Sequence, residues 1–140
     1  MFRVLLVTKN KALKAENERN ILEQKLFASQ MSPHFIFNAL NTIRELTLED
    51  PHKAMQAMTQ LASILRYSLR SADTQTVPLR EEMKIVGEYL ALESLRFEKR
   101  LHVIVDIDER TLEMPIPPLI VQTLVENAVK HGIAELPRGG

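Results

Sequence analysis

The sequence predicts a mainly helical fold of the α+β class, in which a helical hairpin and a linker helix precede one strand and a last helix. Three observations support this prediction. Before Leu101, apolar residues recur mostly at spacings of three and four, the period of amphipathic helices. Leu101–Asp108 instead alternates apolar and more polar residues, as a strand covered on one face does. With 45% hydrophobic and 26% charged residues among 140, the chain has the composition of a globular protein.

Charge and cysteine content narrow the function classes. Eighteen basic residues balance eighteen acidic ones, which indicates neither a nucleic-acid-binding surface nor a polybasic membrane patch. The chain has no cysteine, which excludes disulfides and thiolate metal sites and fits a reducing compartment. The initial apolar run, MFRVLLV, is too short to span a bilayer and precedes no small-residue cleavage site. We therefore expect a soluble chain.

The first predicted element is a lead-in helix within residues 1–31. From Lys11 onwards it is rich in Ala, Glu, Lys, Asn and Gln. Its apolar residues form a narrow seam made of Ile21, Leu22, Leu26, Phe27 and Met31. The seam favours pairing with a second copy, but a solvated helix lying on its own domain explains it as well.

The next helix, in QMSPHFIFNALNTI, has two distinct faces. Its apolar side consists of Phe35, Ile36, Ala39, Leu40, Ile43 and Leu46. His34, Asn38, Asn41 and Glu45 fall within a narrow arc opposite, so His34 points to solvent. Pro33 suits a first helical turn and Ser32 suits a cap, although a kinked continuation of the preceding helix is an alternative. A lone surface histidine without function is the alternative interpretation of His34.

A second helix completes the hairpin. Asp50 is the predicted cap and Pro51 the first residue. The apolar repeat comprises Ala54, Met55, Met58, Leu61, Ala62, Leu65 and Leu69. The methionines are interpreted as core residues. A hairpin with one apolar stripe per helix needs more apolar surface, and two copies would form a four-helix bundle.

The remaining elements follow a boundary placed between Ser71 and Val77, which divides residues 32–76 from 77–140. A linker helix begins near Pro78, and its predicted buried side is Met83, Val86, Tyr89, Leu90 and Phe97. After the strand, PPLIVQTLVENAVKHGI predicts a last helix. Its apolar side is Val121, Leu124, Val125 and Ala128, and its polar face is Thr123, Glu126, Asn127 and Lys130.

The polar face of the last helix suggests chemistry. Glu126 and Asn127 offer oxygen ligands to a hard cation, while Lys130 and His131 offer positive charge to phosphate. Taken alone, the pattern is better explained as a solvated face. The four histidines share no spacing typical of metal ligands.

Together, the two motifs resemble a known family. The segment from Gln30 to Ile43 closely resembles the phosphoacceptor segment Q-x-x-P-H-F-x-F-N-x-L-N of the LytS-type sensor histidine kinases of two-component signalling. The segment from Pro117 to Ile133 is similar to that family's N box, P-P-x-x-x-Q-x-L-V-E-N-A-x-x-H-G. VPLREEMKIVGEYLALESLRF resembles the linker between them, in the right order.

The resemblance implies a histidine protein kinase that uses ATP and Mg²⁺. His34 would be the phosphoacceptor, with Asn38 orienting its imidazole or touching the phosphoryl group. Asn127 would ligate magnesium, and Glu126 would be a general base or an organiser of the site. Lys130 and His131 would contact phosphate oxygens. The implied partners are a second copy and the receiver domain of a response regulator.

The resemblance also implies what the sequence lacks. After the N box the family continues with glycine boxes and a lid, so residues 77–140 correspond to the truncated start of a GHKL-type ATP-binding α/β sandwich. We expect the chain alone to be inactive and cytoplasmic, with membrane attachment only through segments absent from it. The alternative function is a catalytically inactive dimeric module that binds kinases or response regulators. A purely structural bundle is a third possibility.

Overall fold

A computed structural model describes residues 9–21 and 32–140 and is mainly helical, as predicted. Helix α1 covers residues 9–21 and is exposed along its length. The other helices are α2 (Pro33–Glu49), α3 (Pro51–Ser71), α4 (Leu79–Phe97) and α5 (Ile120–Ala128), and a π-helical turn, Val129–Ile133, continues α5. Strands β1 (Val77–Pro78) and β2 (Pro115–Ile116) form a two-residue antiparallel pair. Short 3₁₀ turns lie at Glu98–Arg100 and Glu109–Thr111.

The predicted helix starts at the two prolines are confirmed. Ser32 is extended, with φ −64° and ψ 122°, so α2 begins anew at Pro33. The Ser32 hydroxyl makes no capping hydrogen bond. Asp50 does cap α3, because its carboxylate accepts the Lys53 amide hydrogen at 3.1 Å. How α2 connects to the lead-in helix lies outside the described residues, as does the apolar seam beyond Ile21.

Helix α4 packs against both helices of the hairpin, so the core lies inside one chain. Phe35 of α2 and Tyr89 of α4 meet with ring centroids 4.7 Å apart. The core comprises Phe35, Ala39, Ile43, Ala54, Ala57, Leu61, Ile64, Tyr67, Ile85, Tyr89, Leu92, Phe97, Val129 and Ile133. The hairpin therefore finds its additional apolar surface in the linker helix. On α4, Val86, Tyr89 and Phe97 are buried as predicted, whereas Met83 and Leu90 are only half-buried.

The two methionines of α3 that were interpreted as core residues lie outside the core of the single chain. Met55 is 64% exposed and Met58 is 48% exposed. Helix α3 carries two apolar stripes, and the one buried against the other helices contains the small residues Ala54, Ala57, Ser68 and Ser71. Small side chains allow two helix axes to approach closely, which explains why this stripe is the buried one. The stripe of Met55 and Met58 remains on the surface.

The predicted strand at Leu101–Asp108 is also wrong, because no strand is assigned there. A strand needs a hydrogen-bonded neighbour along its length. Among the described residues, one backbone hydrogen bond joins this segment to a distant part of the chain, from the His102 amide to the Gly140 carbonyl, while those of Leu101 and Asp108 belong to local turns. The alternation is nevertheless visible in the structure. Val103, Val105 and Ile107 line an apolar groove of about 310 Å³ along α4, while Ile104 is 92% exposed.

In the part of the chain that the structure describes, no helix is long and apolar enough to cross a bilayer.

Candidate functional site

The two sequence motifs meet in one cleft of about 490 Å³ between α2, α4 and α5. His34 and Asn38 line it from α2, and Glu126, Asn127 and Lys130 line it from α5 and the π-helical turn. The other lining residues are Ser32, Phe35, Tyr89, Glu93, Arg96, Phe97, Thr123, Val129, Ala134 and Glu135. Five of the six residues singled out in the sequence therefore share one site.

The first turn of α2 places His34 at this cleft. Phe35 is 5% exposed and packs on Tyr89, which fixes the orientation of the turn. The preceding residue, His34, is exposed, as predicted. One turn later Asn38 is half-buried, and its buried Nδ2 has no hydrogen-bond partner among the described residues. A buried amide donor without a partner is costly, so this side of the cleft suits an anionic oxygen.

Helix α5 turns its polar face towards the cleft. Glu126 is half-buried, and this burial raises the pKa of its carboxyl, against a smaller lowering by the Gln122 amide, which donates to Oε1 at 3.2 Å. Asn127 and Lys130 are exposed. On the side predicted to be apolar, Leu124 is 65% exposed. Because Glu126 is half-buried, its interpretation as part of a solvated polar face is wrong.

His131 is the predicted site residue that does not line the cleft. Its side chain is exposed, and its Nδ1 lies 3.6 Å from Oε1 of Glu135. Helical geometry explains the difference, because Lys130 and His131 point about 100° apart.

Two charged residues of α4 belong to the cleft but were not singled out in the sequence. Glu93 is only 4% exposed, and burial raises the pKa of its carboxyl, while Arg96 opposes this rise and Glu126 adds to it. Arg96 Nη1 lies 3.8 Å from Glu93 Oε2, and the guanidinium carbon lies 4.5 Å from the centroid of the Phe97 ring. The available signal was a carboxylate on the buried side of an amphipathic helix, one turn before an arginine.

A third residue of α4, Glu82, holds the start of α5. Its side chain is fully buried, and its carboxylate accepts hydrogen bonds from the Leu119 and Gln122 amides, both at 3.1 Å. Leu119, at the N-cap of α5, has a left-handed backbone with φ 67° and supplies no side-chain cap. Glu82 thus replaces the missing cap and places its negative charge at the positive end of the helix dipole.

The same carboxylate links α5 to the hairpin. The Tyr67 hydroxyl of α3 donates to Glu82 Oε2 at 2.5 Å. Burial, and then the bond to Glu82 and its charge, raise the pKa of the Tyr67 phenol above its ordinary value. One buried group therefore connects α3, α4 and α5, and so positions Glu126 and Asn127 relative to the hairpin.

The donor set fits a phosphate-bound magnesium ion better than a metal held by protein alone. Within residues 9–21 and 32–140, no three His, Cys, Asp or Glu side chains converge as a metal site. Magnesium is commonly held by one or two protein oxygens together with water and substrate phosphates. The Asn127 amide and the Glu126 carboxylate suit the first role, and the cations Arg96 and Lys130 suit the phosphates.

The chain is similar to known histidine kinases. The model of the family described as "Histidine kinase" matches residues 22–101, which is more than half of the chain. The sensor protein LytS of Enterococcus faecalis is 38% identical over 120 residues, or 84% of this chain and 20% of its own length. The sensor histidine kinase YpdA of Escherichia coli is 40% identical over 114 residues, covering 81% and 20% of the two chains.

A third relative is the uncharacterized protein YwpD of Bacillus subtilis, which is 40% identical over 125 residues and is matched over 45% of its length. The chain thus spans between a fifth and a half of the length of these relatives. No solved structure matches it.

Proposed function

Because the chain belongs to the LytS-type histidine kinase family, we propose that it is the phosphoacceptor region and the start of the ATP-binding module of a sensor kinase. The activity proposed for the whole protein is ATP-dependent autophosphorylation on His34, followed by transfer to an aspartate of a response regulator. The observation that carries this proposal is the cleft itself, in which the acceptor motif and the N box face each other.

In the proposed reaction an unprotonated imidazole nitrogen of His34 attacks the γ-phosphorus of ATP in line. A phosphorus–nitrogen bond forms as the bond from phosphorus to the bridging oxygen breaks, and ADP leaves with the electron pair. The exposure of His34 supports this role, since the acceptor must be reached first by the nucleotide and later by the receiver aspartate. Such reactions are accelerated mainly by positioning and by neutralising charge.

The other residues have roles that match their places in the cleft. Asn127 and Glu126 would hold magnesium, which neutralises charge on the ATP phosphates when bound. Asn38 would donate its unpaired amide hydrogens to the phosphoryl group or orient the imidazole. Lys130 would contact phosphate oxygens from the rim. His131, outside the cleft, is left with at most a peripheral contact to phosphate.

We further propose that the hairpin pairs with a second copy to form the four-helix bundle expected of the family. Exposed apolar residues on both hairpin helices support this pairing. They are Phe37, Leu40 and Leu48 of α2 and Met55 and Met58 of α3. The division into residues 32–76 and 77–140, with a cytoplasmic location, belongs to the same proposal.

The function is tested by phosphorylation with labelled ATP and Mg²⁺, in the presence of the separate ATP-binding domain of an intact relative. We expect acid-labile, base-stable label on the wild-type chain and none on His34→Gln. A matched control is His52→Gln, because His52 is another exposed histidine on the hairpin, and it should label normally. If the relative labels itself but not this chain, the kinase proposal is wrong and the inactive interaction module replaces it.

A further inference from the structure

We propose that Arg96 is the phosphate-binding residue of the cleft and contacts the phosphoryl group that His34 receives. This inference rests on the proposed function, since it names a further residue of the same site. Arg96 lies outside the acceptor motif and the N box, in the linker segment on α4 between the helices that carry them.

The guanidinium of Arg96 is held in place, but most of its N–H donors have no acceptor among the described residues. It lies over the Phe97 ring and makes a single 3.8 Å contact with Glu93. Its side chain is 33% exposed, and no hydrogen bond reaches it from any other residue that the structure describes. A guanidinium carries five N–H donors in a planar fork that matches two oxygens of a phosphate. Most of these donors are therefore available to a ligand in the cleft.

The charged residues of the cleft offer few cations to a phosphoryl group. Three acidic residues line it, Glu93, Glu126 and Glu135, and two basic ones, Arg96 and Lys130. Lys130 is exposed at the rim, where water screens its charge. Arg96 is the better-buried cation, so its interaction with a transferring phosphoryl group is the less screened of the two. Arginine is also the side chain best suited to bidentate phosphate binding.

Arg100 provides a matched control because it shares the local environment but not the cleft. Its guanidinium lies 5.6 Å from the centroid of the same Phe97 ring. Its Nη2 donates to the carbonyl oxygens of Ile133 at 2.9 Å and Leu136 at 2.6 Å. These bonds fasten the segment after the π-helical turn, which is a structural role.

The test uses phosphoramidate, a small donor that phosphorylates histidine without a nucleotide and releases ammonia as the new phosphorus–nitrogen bond forms. The initial rates at His34 and His52 are measured in the same sample of the full chain, by mass spectrometry of proteolytic peptides. The variants are Arg96→Ala, Arg96→Gln, Arg96→Lys and Arg100→Lys. Expressing each rate at His34 relative to that at His52 cancels differences in donor concentration.

We expect His34 to react about tenfold faster than His52 in the wild-type chain. A rate difference of about tenfold is what one hydrogen bond between charged groups contributes when it forms in the transition state at His34 alone. Arg96→Ala and Arg96→Gln should bring the ratio close to one, and Arg96→Lys should restore part of it. Arg100→Lys should leave the ratio unchanged.

Two results would overturn the inference. One is a ratio that Arg96→Gln leaves at the wild-type value. The other is an equal loss in Arg100→Lys, which would mean that a disturbed fold is the cause. Failure of the proposed function is distinguishable, because it shows as missing ATP-dependent label whatever the phosphoramidate ratio. Conversely, normal ATP-dependent label with an unchanged ratio would refute only the role of Arg96.

Discussion

Replacement of Glu82 by Gln should destabilise the chain strongly although it removes no atom from the core. The Glu82 carboxylate accepts hydrogen bonds from the Tyr67 hydroxyl and from two amides at the start of α5. A glutamine offers one acceptor oxygen and turns an NH₂ group towards a donor. At least one buried donor is then left without a partner, which costs about 1–3 kcal/mol, and the surviving bonds lose their charge assistance. We expect a total loss of about 3 kcal/mol.

The partner substitution Tyr67→Phe removes one donor and leaves the carboxylate with its two amides. A hydrogen bond to a charged group contributes about 2 kcal/mol, so this variant should lose roughly that amount. Because the two residues share one network, the double variant should lose less than the sum of the single losses. Tyr89→Phe is the matched control. Tyr89 is also buried, but no hydrogen bond joins its hydroxyl to another described residue.

Urea unfolding gives these free energies, and an unchanged slope against urea would show that all variants unfold the same surface. Amide hydrogen exchange at Leu119 and Gln122 gives a local measurement, and both amides should exchange faster in Glu82→Gln than in the wild-type chain. The reasoning is refuted if Glu82→Gln costs less than about 0.5 kcal/mol, the range of an ordinary surface substitution. It is also refuted if Tyr89→Phe costs as much as Tyr67→Phe.

Two further predictions concern charge and assembly. Burial raises the pKa of the Glu93 carboxyl in the folded chain. Its contribution to the free energy of unfolding therefore falls as the pH rises from about 4 towards neutral. Over that range, the free energy of unfolding of Glu93→Gln should increase relative to that of the wild type. A pH-independent difference in urea unfolding between the two would contradict this. Met58→Glu should weaken the proposed dimer in analytical ultracentrifugation, since it places charge in the exposed stripe of α3. Met114→Glu should not, although Met114 is similarly exposed. Equal dimer affinities for the two variants would exclude this stripe from the interface.

Local signals were sufficient to predict the helices and the starts of the hairpin helices. Pro33 and Pro51 restrict their own backbone, so their effect on a helix start is local. The spacing of apolar residues likewise indicates a helix without knowledge of what the helix packs against. The buried face of α3 was not predictable in this way. The helix has two apolar stripes, and the positions of α2 and α4 decide which of them is covered. The prediction of a strand at Leu101–Asp108 was wrong for a related reason. Alternation of apolar and polar residues predicts that one face is covered, but it does not predict a hydrogen-bonded neighbour.

The candidate site shows the same division between local and non-local information. His34 and Asn127 stood out because each lies in a long motif. We attribute their meeting in one cleft to Glu82, which fastens α5 through Leu119, thirty-seven positions further along the chain. Glu93 and Arg96 lie in a helix whose sequence reads as an ordinary linker. Their contribution is visible only when α2 and α5 are placed on either side of them.

The unpaired segment between Val103 and Ile107 has a consequence for how the protein associates. Its backbone N–H groups have no hydrogen-bond partner among the described residues, and Ile104 and Val105 are exposed. Unpaired backbone groups of this kind form an edge on which another strand can add. The proposed pairing through the hairpin would close at two copies, whereas head-to-tail addition along this edge would have no closing point and would lead to filaments or precipitate. Stoichiometry at increasing concentration therefore distinguishes the two surfaces, because a plateau at two copies indicates the bundle and continued growth indicates the edge.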